Sequence, residues 1–160
     1  MGGGLNMQNE NLEFVIENGV LVEYKGQNSN IVIPNCVTVI GEYAFAKCET
    51  LRTVKLSEGV TKIERSAFAS CVNLTDINIP SSVVHIGTCA FAYCESLKKI
   101  FLPKTVTVLG KYVFDQSDAL TVYSEQPGEF WEWDEDWDGE RETGLVKVVW
   151  GATKELFDKA

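Results

Sequence analysis

At 160 residues and 45% apolar side chains, the chain is long enough for one domain with a substantial core. Its formal net charge is −9, and residues 129–142 hold eight carboxylates against Arg141 alone, so seven of the nine charges lie in one stretch and the rest is nearly balanced. Such a distribution offers no positive patch to a phosphate backbone or an anionic lipid surface, which sets aside nucleic acid and membrane as partners.

In chain order, residues 1–11 come first as a flexible tail, with MGGG resembling an expression scar. The opening MGGGLNMQNEN has neither the basic nor the apolar region of an export signal, and no run of about 18 apolar residues is present to span a bilayer. As written, the chain is expected to be cytoplasmic. Phe14 to Gly26 (FVIENGVLVEYKG) then reads as a β-hairpin turning at Asn18-Gly19, and residues 12–30 are expected to cap the N-terminal end of the domain.

Four phenylalanines, Phe45, Phe68, Phe91 and Phe114, recur at a spacing of 23 residues and bring their neighbours with them. Five positions earlier stand Ile40, Ile63, Ile86 and Leu109, and eight earlier stand Val37, Val60, Val83 and Val106. Six positions later come Leu51, Leu74, Leu97 and Leu120, and nine later Val54, Ile77, Ile100 and Tyr123. Ala44, Ala67, Ala90 and Val113 precede the rings, and Cys48, Cys71, Cys94 and Ser117 come three positions after them. A unit this short cannot bury its apolar side alone, so successive coils must stack. Within each coil, Leu51-Arg-Thr-Val54-Lys-Leu56 and its equivalents alternate apolar and polar as an inward-facing strand does, and Val60-Thr-Lys-Ile63 and its equivalents predict a second short strand. The intervening A-F-A-x-C suits a helical or 3₁₀ turn. Pro34, Pro80 and Pro103 share a corner column in which Ser57 is the exception.

The pattern L-x-x-[VI]-x-[LI]-P-x-x-V-x-x-I-G-x-x-A-F-x-x-C resembles the BspA-like, bacterial surface-antigen class of leucine-rich repeats. The resemblance covers about four repeats over residues 31–123. The expected architecture is a right-handed, mostly parallel leucine-rich repeat solenoid with short helical or 3₁₀ turns, capped at both ends. The resemblance further implies a non-catalytic adhesion or protein-recognition module at the cell surface or secreted; the chain is expected to be a monomer whose partner is an unidentified protein.

Residues 124–160 form an acidic, Trp-rich segment similar to the family's C-terminal cap, expected to pack Trp131, Trp133, Trp137 and Trp150 on the last coil. Exposed rings there would instead mark a docking motif for a basic partner. Within it, Asp134, Asp136, Asp138 and Gly139 match the D-x-D-x-D-G spacing of an EF-hand-type calcium loop, although Leu145 stands where the bidentate Glu belongs. A calcium-stabilised structural or adhesive domain is thus the alternative function, and otherwise no cofactor is expected.

For catalysis the residues offer little. Cys48, Cys71 and Cys94 stack in one column and read as buried thiols, Cys36 and Cys89 sit in turns, and His85 is the sole histidine, at an outward position. A thiol-dependent enzyme is the remote alternative and would need an activated cysteine. The inner sheet is the expected functional face. Stacking aligns Val32, Lys55, Asn78 and Phe101 in one outward row and Asn30, Thr53, Asp76 and Lys99 in the next, with Phe101 as the apolar contact anchor.

Overall fold

The computed structural model describes residues 13–128, 132–133 and 146–160. In chain order the elements are β1 (Phe14–Glu17), β2 (Val20–Tyr24), β3 (Asn30–Val32), β4 (Val39–Ile40), β5 (Thr53–Lys55), β6 (Lys62–Ile63), β7 (Asp76–Asn78), β8 (His85–Ile86), β9 (Lys99–Leu102), β10 (Val108–Leu109), β11 (Thr121–Ser124), β12 (Glu132–Trp133), β13 (Lys147–Trp150) and α1 (Lys154–Lys159). They wind into a β-solenoid. One seven-stranded sheet runs β1-β2-β4-β6-β8-β10-β12, and on another face lie the three-stranded sheets β3-β5-β7 and β9-β11-β13. Only the β1–β2 hairpin is antiparallel among the described pairings.

A third face is made of turns rather than strands. Tyr43, Phe45 and Lys47 donate their N–H groups to the carbonyls of Arg65, Ala67 and Ala69 one coil on, at 3.1, 2.8 and 2.8 Å, and the next coils repeat the pattern. The segment expected as a helical or 3₁₀ turn is built of consecutive i→i+3 turns, the 3₁₀ bonding pattern without a continuous helix, such as Ala46 N–H to Tyr43 C=O at 2.9 Å. They cannot propagate as a helix because two residues per coil are left-handed: Tyr43, Ser66, Cys89 and Tyr112 at φ 53–58°, and Lys47, Ser70, Tyr93 and Gln116 at φ 54–61°. Non-glycine residues pay roughly 1–3 kcal/mol each for that conformation, offset here by the inter-coil hydrogen bonds it makes possible.

The period-23 columns form the core. Phe45, Phe68, Phe91 and Phe114 are fully buried and stack with centroids 4.9, 5.3 and 5.9 Å apart and planes within 15°. Beside them Cys71 Sγ donates to the carbonyl of Phe45 at 3.1 Å, Cys94 Sγ to that of Phe68 at 3.3 Å, and Ser117 Oγ to that of Phe91 at 3.2 Å. The small polar atom at this column ties each coil to the one before it, which explains why serine can stand in for cysteine.

The hairpin does more than cover the first coil. β2 pairs in parallel with β4, setting Leu21 opposite Ile40, and the Tyr24 ring lies 5.2 Å from Phe45 and 5.1 Å from Phe14. β2 thus enters the ladder as a coil of its own, with Leu21 in the isoleucine column and Tyr24 extending the ring stack.

Past the last ring, one column assignment is corrected. Ile100 pairs with Val122, which is buried, and Tyr123 pairs with Phe101 and points outward. This coil is one residue shorter than the 23-residue coils before it, Leu120-Thr-Val122 replacing Leu97-Lys-Lys-Ile100. A slip of one residue exchanges the two faces of a strand, and valine is the better inward residue because a buried phenol needs a partner for its O–H.

The helix α1 is an element that the sequence reading does not anticipate. Thr153 caps it, its Oγ1 accepting the Leu156 N–H at 3.2 Å, and Phe157 is its buried residue. It is preceded by Ala152, whose N–H reaches the Ser124 carbonyl at 2.9 Å, so β13 delivers the helix to the outer side of β9 and β11. Of the four tryptophans, the side chain of Trp150 alone is described; it is 39% exposed and sits against Gly128. No described helix is long and apolar enough to cross a membrane.

Candidate partner-binding site

The inner ladder stops at β7 and restarts at β9, although the two strands are neighbours. Over this seam lies a groove of about 580 Å³. Its floor is Ile77, Asn78, Ile79 and Phe101, its ends Pro80 and Pro103, and one wall is α1 through Lys154, Phe157 and Asp158. A shallower depression of about 260 Å³ adjoins it, lined by Thr53, Val54, Lys55, Asp76 and Asn78. Six of the eight inner-face residues singled out from sequence thus meet in one concave region, and Asn30 and Val32, both exposed on β3, lie apart.

Their roles differ from a uniform outward row. Asn78 is half-buried and clamps the preceding coil, its Oδ1 accepting the Leu56 N–H at 2.7 Å and its Nδ2 donating to the Leu56 carbonyl at 3.3 Å. Thr53 Oγ1 donates to Asn30 Oδ1 at 2.8 Å, holding another pair of coils in register. Lys55 and Asp76 are exposed. Phe101 is not the free-standing ring expected of a contact anchor, because the Phe157 ring packs on it at 5.7 Å and also meets Tyr123 edge-on at 5.5 Å. Lys99 likewise serves the helix: its Nζ donates to the Phe157 carbonyl at 3.0 Å and lies 4.6 Å from that ring's centroid.

The groove's charges are unequal. Glu58, Asp76, Glu125 and Asp158 border it against Lys99 and Lys154. Lys154 Nζ is 3.1 Å from Asp158 and 4.2 Å from the Phe157 ring centroid, and Glu125 accepts the Lys104 N–H at 2.9 Å. The side-chain carboxylates of Glu58 and Asp76 have no hydrogen bond or ion pair among the described residues.

Residues considered for chemistry lie elsewhere. Burial pushes the Cys94 thiol up to about 12, further raises Cys71 with help from the neighbouring cysteines, and raises Cys89. A nucleophilic thiol needs the opposite shift. His85 on β8 is flanked in register by Lys62 and Val108; burial lowers its pKa, with Glu64 opposing and Lys62 reinforcing. The five thiols are free. Ellman's reagent at pH 8 should therefore label the exposed Cys36 at once and leave Cys71 and Cys94 unlabelled until the chain is unfolded; prompt labelling of either would contradict their place in the coil interior. The calcium-loop residues Asp134, Asp136 and Asp138 lie outside the described residues, and those described contain no metal-binding cluster.

Residues 18–127 match the model of the BspA type leucine-rich repeat region in six copies. The match starts within the hairpin and ends beyond Tyr123, a wider span than the four repeats read from the phenylalanine columns. Among solved structures, the chain is similar to a leucine-rich repeat protein of T. pallidum, at 30% identity and a TM-score of 0.64 over 65% of this chain and 51% of that one. It is similar also to one from Bacteroides capillosus ATCC 29799, at 29% identity and a TM-score of 0.61 over 70% and 98%. A leucine-rich cell surface protein of Faecalibacterium prausnitzii A2-165 shares the fold, at 24% identity and a TM-score of 0.69 over 87% of this chain and 37% of that one. The chain spans about half of the T. pallidum protein and about a third of the F. prausnitzii one. No curated protein matches it. Repeats of this kind are typically non-enzymatic and suggest protein interaction or surface binding. The repeat match covers well over half of the chain, which therefore belongs to the BspA-type leucine-rich repeat family.

Proposed function

We propose that the chain is a non-catalytic protein-binding module and that its partner docks on the inner sheet, across the β7–β9 seam. The observation that carries this reading is the joined pair of concavities on a rigid parallel ladder, where Lys55 and Asp76 stand exposed beside the apolar floor. Fixed rows of outward side chains at about 5 Å spacing keep such a surface preorganised, so little ordering entropy opposes association. The F. prausnitzii relative is described as a cell surface protein, which supports a surface setting for this module as well.

The double change Lys55→Glu with Asp76→Lys tests the reading. Both side chains are exposed, so the melting temperature should stay within about 2 °C of the parent. Affinity capture of the partner should fall at least about tenfold, which is what a loss of roughly 1.4 kcal/mol produces. Undiminished capture by the folded double variant would remove the inner face as the binding site.

A further inference from the structure

We infer that the groove between β7, β9 and α1 selects an extended segment of a partner protein in which lysine or arginine flanks a large apolar side chain. This rests on the inner-face reading above and adds the chemistry of what binds there. Half-buried Phe101, with the edges of the buried Ile77, Ile79, Pro80 and Pro103, offers an apolar seat for one large side chain. Around it acidic side chains outnumber basic ones, four to two, which favours a cation. Both ammonium groups of the groove are already engaged, Lys99 with the Phe157 carbonyl and Lys154 with Asp158. The side-chain carboxylates of Glu58 and Asp76 stand without any such partner among the described residues. Within the groove an incoming carboxylate would meet four like charges and two ammonium groups already engaged, with Lys55 only in the adjoining depression, whereas an incoming ammonium or guanidinium finds two uncommitted carboxylates on the rim.

The form of the segment is set by the floor. β7 and β9 run side by side along the floor, so an extended segment laid along them follows the pleat and row spacing of the ladder. An extended chain places alternate side chains downward and outward, which brings an apolar residue onto Phe101 and its flanking cations to the rim. Because the rim carboxylates are exposed, the charge selection should weaken with added salt.

The probes are three blocked peptides, Ser-Lys-Leu-Lys-Ser, Ser-Glu-Leu-Glu-Ser and Ser-Lys-Ser-Lys-Ser, titrated at low salt into the whole chain and followed by amide NMR. The first should bind saturably, shifting the amides of Asp76, Asn78 and Phe101, and the other two should bind at least about tenfold more weakly. Glu58→Gln with Asp76→Asn should abolish the preference for the basic peptide while leaving the spectrum of the rest of the chain in place. Equal binding of the acidic peptide, no binding of any peptide, or shifts confined to residues 129–142 would each overturn the assignment. Capture that is lost in the Lys55 and Asp76 double variant, combined with a failed peptide series, would sink this ligand chemistry and leave the inner-face reading standing; intact capture would sink both.

Discussion

Replacing Phe68 by alanine is expected to destabilise the chain by about 4 kcal/mol and to lower its melting temperature by roughly 8–16 °C. The ring is fully buried and stacks on Phe45 at 4.9 Å and on Phe91 at 5.3 Å, nearly parallel to each. Its loss leaves a void between two coil interfaces at once, and the surroundings cannot close on it. The backbone of the third face holds the coils at ladder spacing through bonds such as Phe68 N–H to the Ala90 carbonyl at 2.9 Å and Phe45 N–H to the Ala67 carbonyl at 2.8 Å. Cavity cost therefore adds to the lost transfer free energy rather than relaxing away. Urea titration of parent and variant measures the difference. A loss below about 1 kcal/mol would show that the stacked rings are not the main support of the interior.

Phe157→Ala should act locally and strongly. The six residues of α1 are far too few to hold a helix in water on their own, and this one is kept by Phe157 wedged among Phe101, Tyr123 and Lys99. Removing the ring should cost about 2–4 kcal/mol at that contact and free residues 153–160, so their amides should exchange with solvent at close to unfolded rates. The coils, whose core is separate, should keep their protection and their Phe stack. The wall of the 580 Å³ groove leaves with the helix, and selective binding of the basic peptide should fall with it. Unchanged protection of residues 153–160 would mean that the helix is retained by something other than this aromatic contact.

The parts of the fold that can be read from sequence are those enforced by period. Seven columns at 23-residue spacing name the inward face of every complete coil, because a stacked array has no other way to dry its apolar residues. The features that escape such a reading are non-periodic or decided by tertiary contact. The left-handed residues at 43, 66, 89 and 112 are Tyr, Ser, Cys and Tyr, with no glycine or asparagine to signal positive φ; inter-coil hydrogen bonding imposes the conformation. A rigid count of 23 puts Tyr123 in the wrong column because it passes over a missing residue, and only the alternation of Leu120 and Val122 with polar neighbours discloses the shift. For α1 a signal does exist in Thr153, Glu155 and Lys159, a cap with an acid in the first turn and a base in the last, but six residues give no apolar stripe to weigh it against. The candidate site is half legible. The rows that line it are dictated by register, whereas the helix that turns an open face into a groove, and takes Phe101 and Lys99 for itself, is not.

That missing residue in the last coil sets the handover point between what is interchangeable in the molecule and what is unique. Coils that share one length can be duplicated or deleted whole with the core columns kept in register, since each new interface repeats the same stacking of inward residues. The shortened coil breaks that equivalence and turns a tyrosine outward at a single place, and the helix seats itself against it. A gene that gains or loses units ahead of Glu58 would accordingly change the reach of the solenoid while keeping the groove between β7, β9 and α1.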